Sequence, residues 1–335
     1  MKKNKNLLPA VKKYFKANLH THTNISDGAL SPAEAKAAYK ALGYQILALT
    51  DHNVVVNHSD MTDKDFLMLT AAEVNYDKPC SDATYHLNLI AERADNLWFP
   101  NHKSNAPQKA QSYAEKMICE GMYTEYATGS INEMIQKANE MGFLVTLNHP
   151  TWSQNSYVDY IGLQGLWGVE VRNSECCTLG YNENNHRVYD DLLKSAHRVY
   201  PLGADDMHSV RSLGHSWIMV GAEELNYSST VKALKNGDFY MSCGPQIFTL
   251  TVEDDNLKIT CSEAKEILLE TPGRFARRGS GKDNTTISEA TFNLADFAAK
   301  FKDNDGAYVK ITVFAPDGTY AVTRAYYLNE LLLES

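Results

Sequence analysis

The chain has 335 residues, 44% of them hydrophobic, and a net charge of −9. That length suits a large α/β domain followed by a smaller one. The acidic balance argues against binding a polyanion such as duplex nucleic acid over a broad surface, while leaving room for a small anion in a local site. The six cysteines, Cys80, Cys119, Cys176, Cys177, Cys243 and Cys261, make no CxxC pair, which points to free thiols in a reducing compartment. The apolar run Leu7 to Val11 is broken by Pro9 and closed by Lys12 and Lys13, too short for a signal-peptide core. No stretch is long enough to span a membrane, so the expectation is a cytoplasmic protein without a membrane partner.

Apolar runs alternate with helical patterns up to about residue 240. The first run ends at His20-Thr-His22. A helix follows in SPAEAKAAYKALG, with Ser31 as N-cap, Pro32 at the first helical position, Glu34 completing a capping box and Gly43 as terminator. YQILALTDH, FLMLTAAEV and YHLNLIAE read as strands. Residues 106–142 read as two helical pieces, the second opened by Ser130 and closed by Gly142. FLVTLNHP, LWGVEVRN, RVYPLGADDMH and SWIMVGA continue the strand series, with helices expected over Asn184–Ala196 and Ser229–Asn236. Repeated strand-helix units, with seven or eight strands, predict a β/α barrel over residues 1–240. Beyond Gly237, alternating segments separated by Gly, Pro and Asp turns predict a small antiparallel β domain over 241–335, which contains no histidine.

Metal-capable residues stand at or near the ends of the apolar runs: His20 and His22, then Asp51 and His52, Glu73, His149, and Asp206 with His208. In a β/α barrel the strand C-termini build the active site, so these scattered positions converge. His20 and His22, two apart on an extended segment, share a face, and Asp206 with His208 repeats that spacing. With Asp27 and His86 the set has nine members, six of them imidazoles. Taken singly, Asp27 before Gly28 is an ordinary turn aspartate, His86 a sheet histidine and His208 a loop histidine. Taken together, they would require a separate accident at the end of each of several strands. Nine ligands suffice for two or three ions if Glu73 bridges, and imidazole with carboxylate suits zinc, manganese or iron. Three divalent ions against three carboxylates leave the site at about +3, which favours an anion such as a phosphate monoester.

His20-Thr-His22, Ser26-Asp27-Gly28, Thr50-Asp51-His52, Glu73, Asn148-His149-Pro150, Val169-Glu170-Val171 and Asp206-Met207-His208 resemble the successive motifs of the polymerase and histidinol phosphatase (PHP) superfamily, over residues 15 to about 221. The segment from Trp217 to the DFYMSCGP stretch resembles the CehA/McbA-like branch, which carries an extra β domain. The resemblance implies a distorted (β/α)7 barrel with a metal cluster at the strand C-termini. It implies one ion on His20, His22, Glu73 and Asp206, a second on Glu73, His86 and His149, and a third on Asp27, His52 and His208. Asp51 is expected to orient a ligand from behind.

The expected function is hydrolysis of a small phosphorylated metabolite (a nucleotide, sugar or amino-alcohol phosphate) by a metal-bound hydroxide. A carboxyl or carbamate ester hydrolase using the same centre is one alternative, and a non-catalytic metal-containing binding module is another. His20, His22, Asp27, His52, Glu73, His149, Asp206 and His208 carry the catalytic expectation. Arg172, with Asn173 beside it, is the expected substrate anchor, because guanidinium binds oxyanions in bidentate fashion. Lys103, Arg187, Arg198 and Arg211 read as surface cations, and His215 as a candidate proton donor. The aromatic stretch 151–162 is either a stacking surface or a packed loop.

Overall fold

The computed structural model describes residues 4–11, 13–122, 124–195, 197–301 and 306–331. Strand β1 (Phe15–Asn18) pairs in parallel with β2 (Ile46–Leu49), and β2 with β3 (Leu67–Asp77). Strand β4 (Thr84–Ala91) runs antiparallel to β3 and to β5 (Phe143–Leu147). From β5 the order continues in parallel to β6 (Gly168–Asn173) and β7 (Tyr200–Ala204). This is a seven-strand barrel with one reversed strand, which accounts for its distortion. Strands β4 and β5 are buried along their whole length, as their continuous apolar runs require.

Closure between β7 and β1 happens beyond the strand ends. Asp206 N donates to His20 O, His22 N donates to Met207 O, and Thr21 bridges Met207 in parallel. The segments carrying the candidate ligands therefore complete the barrel rim themselves.

The helix Pro32–Ala41 forms with both halves of its capping box, and buries Ala35 and Tyr39. A cap of this kind contributes about 1 kcal/mol. Of the two helical pieces expected over 106–142, only Thr128–Glu140 is a helix of any length. Ser130 does not open it: its hydroxyl accepts from Glu125 N. The earlier piece is broken into two short turns, Gln108–Ala110 and Gln111–Ala114, and Ile118–Cys119 instead pairs with Trp98–Phe99. The helices expected downstream form over His186–Lys194 and Tyr227–Asn236; Ala196, at the end of the first, lies outside the described residues.

Strand β8 (Trp217–Val220) pairs antiparallel with β1 and with β9 (Phe239–Ser242). The expected domain boundary at 240/241 falls inside β9, which also pairs with a strand of the C-terminal domain, Tyr320–Thr323. One sheet thus runs from the barrel into the second domain. A four-stranded sheet, Asn4–Asn6, Ile247–Glu253, Asn256–Ala264 and Ile287–Asn293, packs over it to form a sandwich. Leu250, Leu257 and Ile259 face Leu269, Val309 and Ile311 in that core, and Leu7 and Leu8 join them. The N-terminal residues therefore belong structurally to the C-terminal sandwich. No helix among the described residues is long and apolar enough to cross a membrane.

Candidate metal centre

All nine candidate ligands meet at the C-terminal rim of the barrel. β3 outruns β2, and this lifts Glu73 above the end of its neighbour, where it bridges to His52. Glu73 is 1% exposed and lies within ion-pair distance of five imidazoles. Its Oε1 is 3.3 Å from His20 Nε2, 3.2 Å from His86 Nδ1 and 3.3 Å from His149 Nε2. Its Oε2 is 3.2 Å from His22 Nε2 and 3.3 Å from His52 Nδ1.

His20 and His22 project to one side of the extended chain, with their Nε2 atoms 3.1 Å apart. Thr21 between them faces away and donates to Tyr39 Oη. Asp206 Oδ1 completes this corner, 3.1 Å from His20 Nε2 and 3.0 Å from His22 Nε2. At the outer corner, Asp27 Oδ2 is 3.6 Å from His52 Nε2 and 3.4 Å from His208 Nε2, and its Oδ1 is 3.5 Å from His22 Nδ1. Four groups of three or four ligand atoms emerge: His22, Asp27, His52 and His208; His20, His22 and Glu73; His20, His149 and Asp206; and His52, Glu73 and His86. The partition differs in detail from the expected one, since His22 and His52 each face two groups.

These residues fit divalent ions on two observations. Glu73 Oε2, Asp206 Oδ1 and His52 Nδ1 are sealed from solvent and have no hydrogen-bond partner, an arrangement that is costly unless something fills the space between them. The ligand–ligand spacings of 3.0–3.3 Å also match the polyhedron edge, about 3.0–3.4 Å, for metal–ligand bonds of ~2.0–2.1 Å. Backbone strain gathers here too. His149 (φ 23°) and Asp206 (φ 50°) both hold positive φ, which a side chain adopts only when its surroundings impose it. Gly28 is required by close approach, because a Cβ there would lie 2.4 Å from His22 O.

The metal-free electrostatics are polarised. Burial opposes charge on His22, but Asp206 and Glu73 overcome it and push its pKa up to about 10. Burial lowers His52 to about 4, and repulsion from His22 adds to this. Burial disfavours the charges of Glu73 and Asp206, yet the surrounding imidazoles hold both carboxylates below their ordinary range. The empty cluster therefore stores protons that a cation would displace.

A layer of partners orients the ligands. His20 Nδ1 donates to Glu170 Oε1 at 2.6 Å, which leaves Nε2 free to face the cluster. Glu170 Oε2 accepts from His149 N and Asn173 Nδ2. Asn148 Nδ2 donates to Glu73 Oε1, and Ser153 Oγ pairs with His149 Nδ1. Glu170 and Asn148 both lie in motifs visible in the sequence, but nothing local assigned them a partner. Asp51 acts one step further back than expected. It accepts from Thr23 N, Thr23 Oγ1, Ser26 N and Ser26 Oγ, and Ser26 Oγ in turn contacts Asp27 and His22.

The expected substrate anchor is placed elsewhere. A register irregularity between β6 and β7 lies opposite Arg172, whose guanidinium donates to Asn184 and packs beside Tyr320 of the C-terminal domain. It does not line the cavity above the cluster. Asn173 lies beneath the cluster instead, donating to Asp206 Oδ2 and accepting from Cys176 N. Arg187 pairs with Asp191, Arg198 stacks on Tyr327, Lys103 donates to Glu115 O, and His215 is exposed with its backbone on Asp205. The cavity, about 240 Å³, is walled by ligands together with Trp152, Glu175, Cys176 and Leu179, with no lysine or arginine. Trp152 stands edge-on to His149 and His86, with ring centroids 5.0 and 5.4 Å away, so the aromatic stretch after His149 does contribute to the site.

No curated protein matches the sequence significantly. Among solved structures, a two-domain protein of Bacteroides vulgatus described as containing a PHP-like metal-dependent phosphoesterase is 16% identical (98% of this chain, 99% of that one, TM-score 0.46). A protein of Bifidobacterium adolescentis described as a metal-dependent phosphoesterase is 15% identical (61% and 90%, TM-score 0.39). A lesion-specific endonuclease of Pyrococcus furiosus is 16% identical (67% and 56%, TM-score 0.39). Residues 18–271 match the family model of the PHP domain. With that match spanning most of the chain and a histidine–carboxylate cluster on its barrel rim, this protein belongs to the PHP domain family and is a metal-dependent hydrolase.

Proposed function

We propose that the protein is a phosphoesterase acting on a small phosphorylated metabolite, with its nine-ligand cluster holding two or three divalent ions of zinc, manganese or iron. The observation that carries this reading is the convergence on Glu73, one buried carboxylate facing five imidazoles, beneath a cavity with no cationic side chain. Bound there, divalent ions supply Lewis-acid stabilisation to a phosphoryl group and acidify a water molecule.

The chain's own residues do the remaining work. Glu170 fixes the tautomer of His20, and Asn148 fixes one oxygen of Glu73. Asn173 ties Asp206 to Glu170. Trp152 and Leu179 wall the cavity, which at about 240 Å³ admits a small ester and excludes a polymer duplex.

The supporting experiment is phosphate release from a panel of mono- and diesters, with protein reconstituted separately with Mn²⁺, Zn²⁺ and Fe²⁺. Release that a chelator abolishes supports the reading. Silence across the panel with metals bound defeats it. A carboxyl or carbamate ester is the second reading, favoured by the lack of lysine or arginine in the cavity wall, since a neutral ester needs no cation beyond the ions. Nitrophenyl acetate compared with nitrophenyl phosphate separates the two.

A further inference from the structure

One carboxylate in the cavity is not used by the metal centre. Glu175 sits in the first turn of the short helix Ser174–Thr178 and lines the cavity beside Trp152 and Leu179. It belongs to none of the four ligand groups. Its Oε2 is closed off from solvent and has no hydrogen-bond partner. Such an oxygen in a low-dielectric wall is a free-energy cost until a donor arrives. The other cavity carboxylates, Asp27, Glu73 and Asp206, are all committed to the ligand groups, and no lysine or arginine of the wall offers Glu175 a counter-charge.

The chemistry that satisfies Glu175 is thus a cation brought by the substrate. Trp152 fits the same guest, because an indole attracts an ammonium group through its ring quadrupole. Leu179 lies four residues after Glu175 at the cavity wall and is 60% exposed, an apolar rest for a short methylene chain. We propose that Glu175, with Trp152, is a specificity-determining residue that selects a substrate bearing an ammonium group a few bonds from its phosphate ester. This assignment rests on the phosphoesterase reading: the ions neutralise the phosphate, and Glu175 neutralises the ammonium.

The test is binding, which needs no turnover. Full-length protein loaded with Mn²⁺ is titrated calorimetrically with 2-aminoethylphosphonate and with propylphosphonate, which differ in the ammonium group. The wild type is expected to bind the amino compound about tenfold tighter, as one charge-assisted hydrogen bond allows. In Glu175→Gln the two ligands are expected to bind within about twofold of each other, with metal content unchanged. Glu175→Lys is expected to reverse the preference. Equal binding of both ligands by the wild type, or a preference that survives in Glu175→Gln, overturns the assignment. Binding of neither ligand overturns the phosphoester reading on which it rests. The wild-type comparison requires no variant, so a folding defect in Glu175→Gln leaves the test standing.

Discussion

Replacing Glu170 with Gln tests the logic of the centre most sharply, because it preserves shape and removes one charge. In the wild type, Glu170 Oε1 accepts from His20 Nδ1 at 2.6 Å, and Oε2 accepts from His149 N and Asn173 Nδ2, each at 2.9 Å. A carboxamide cannot accept on both sides. If its oxygen faces the two donors, its NH2 faces His20 Nδ1. His20 must then place its proton on Nε2, the atom that meets Glu73, Asp206 and His22. A protonated Nε2 cannot ligate a metal. If the amide turns the other way, its NH2 meets two donors in a site that is 1% exposed. Both orientations disfavour the loaded state. Loss of such an outer partner typically lowers metal affinity ten- to a hundredfold, about 1.4–2.7 kcal/mol. Competition against a chelating dye near neutral pH, with the tautomer of His20 read by NMR, measures both consequences. Unchanged affinity with the Nε2-protonated tautomer absent would refute the argument that Glu170 sets the ligand atom.

Glu73→Ala is expected to abolish turnover and to lose more than one ion, since Glu73 touches five of the six cluster imidazoles; metal analysis after gel filtration reads the stoichiometry, and retention of the full complement contradicts a bridging role. The metal-free protein should be most stable between the ordinary carboxylate and imidazole values, 4.5 and 6.5. His22 is raised, so its stabilisation is complete below 6.5 and disappears as pH climbs through about 10, whereas Glu73 is depressed and its stabilisation disappears on acidification. Thermal melts in chelator across pH check this, and a Tm still rising above pH ~8 would contradict it. Gly28→Ala should displace His22 and reduce metal content at little cost in secondary structure, measured by circular dichroism beside metal analysis. Tyr320→Phe removes the hydroxyl that donates to Asn184, where Arg172 also docks; a loss of about 1 kcal/mol in chemical denaturation is expected.

Several features are legible in the order of residues alone. The capping box at Ser31 and Glu34 involves residues three apart and forms as read. The shared face of His20 and His22 follows from the strand period of two. Other features depend on distant parts of the chain. Arg172 reads as leaving a strand at the site mouth, yet the irregular pairing of β6 with β7 sends it toward Asn184 and Tyr320. The first helical piece of 106–142 gives way to pairing of Ile118–Cys119 with Trp98–Phe99. Asn4–Asn6 becomes a strand only because Ile247–Glu253 offers an edge.

By itself, the sequence determined which residue types stand at the strand ends and in what order, because strand and helix periods and capping are local physics. The tertiary structure alone decided that β3 outruns β2 so that Glu73 reaches five imidazoles, that Glu170 lies behind His20, and that Glu175 is left without a partner. Those outcomes depend on register and closure between segments up to about 190 residues apart, which join Asp206 to His20 and cannot be deduced from either neighbourhood alone.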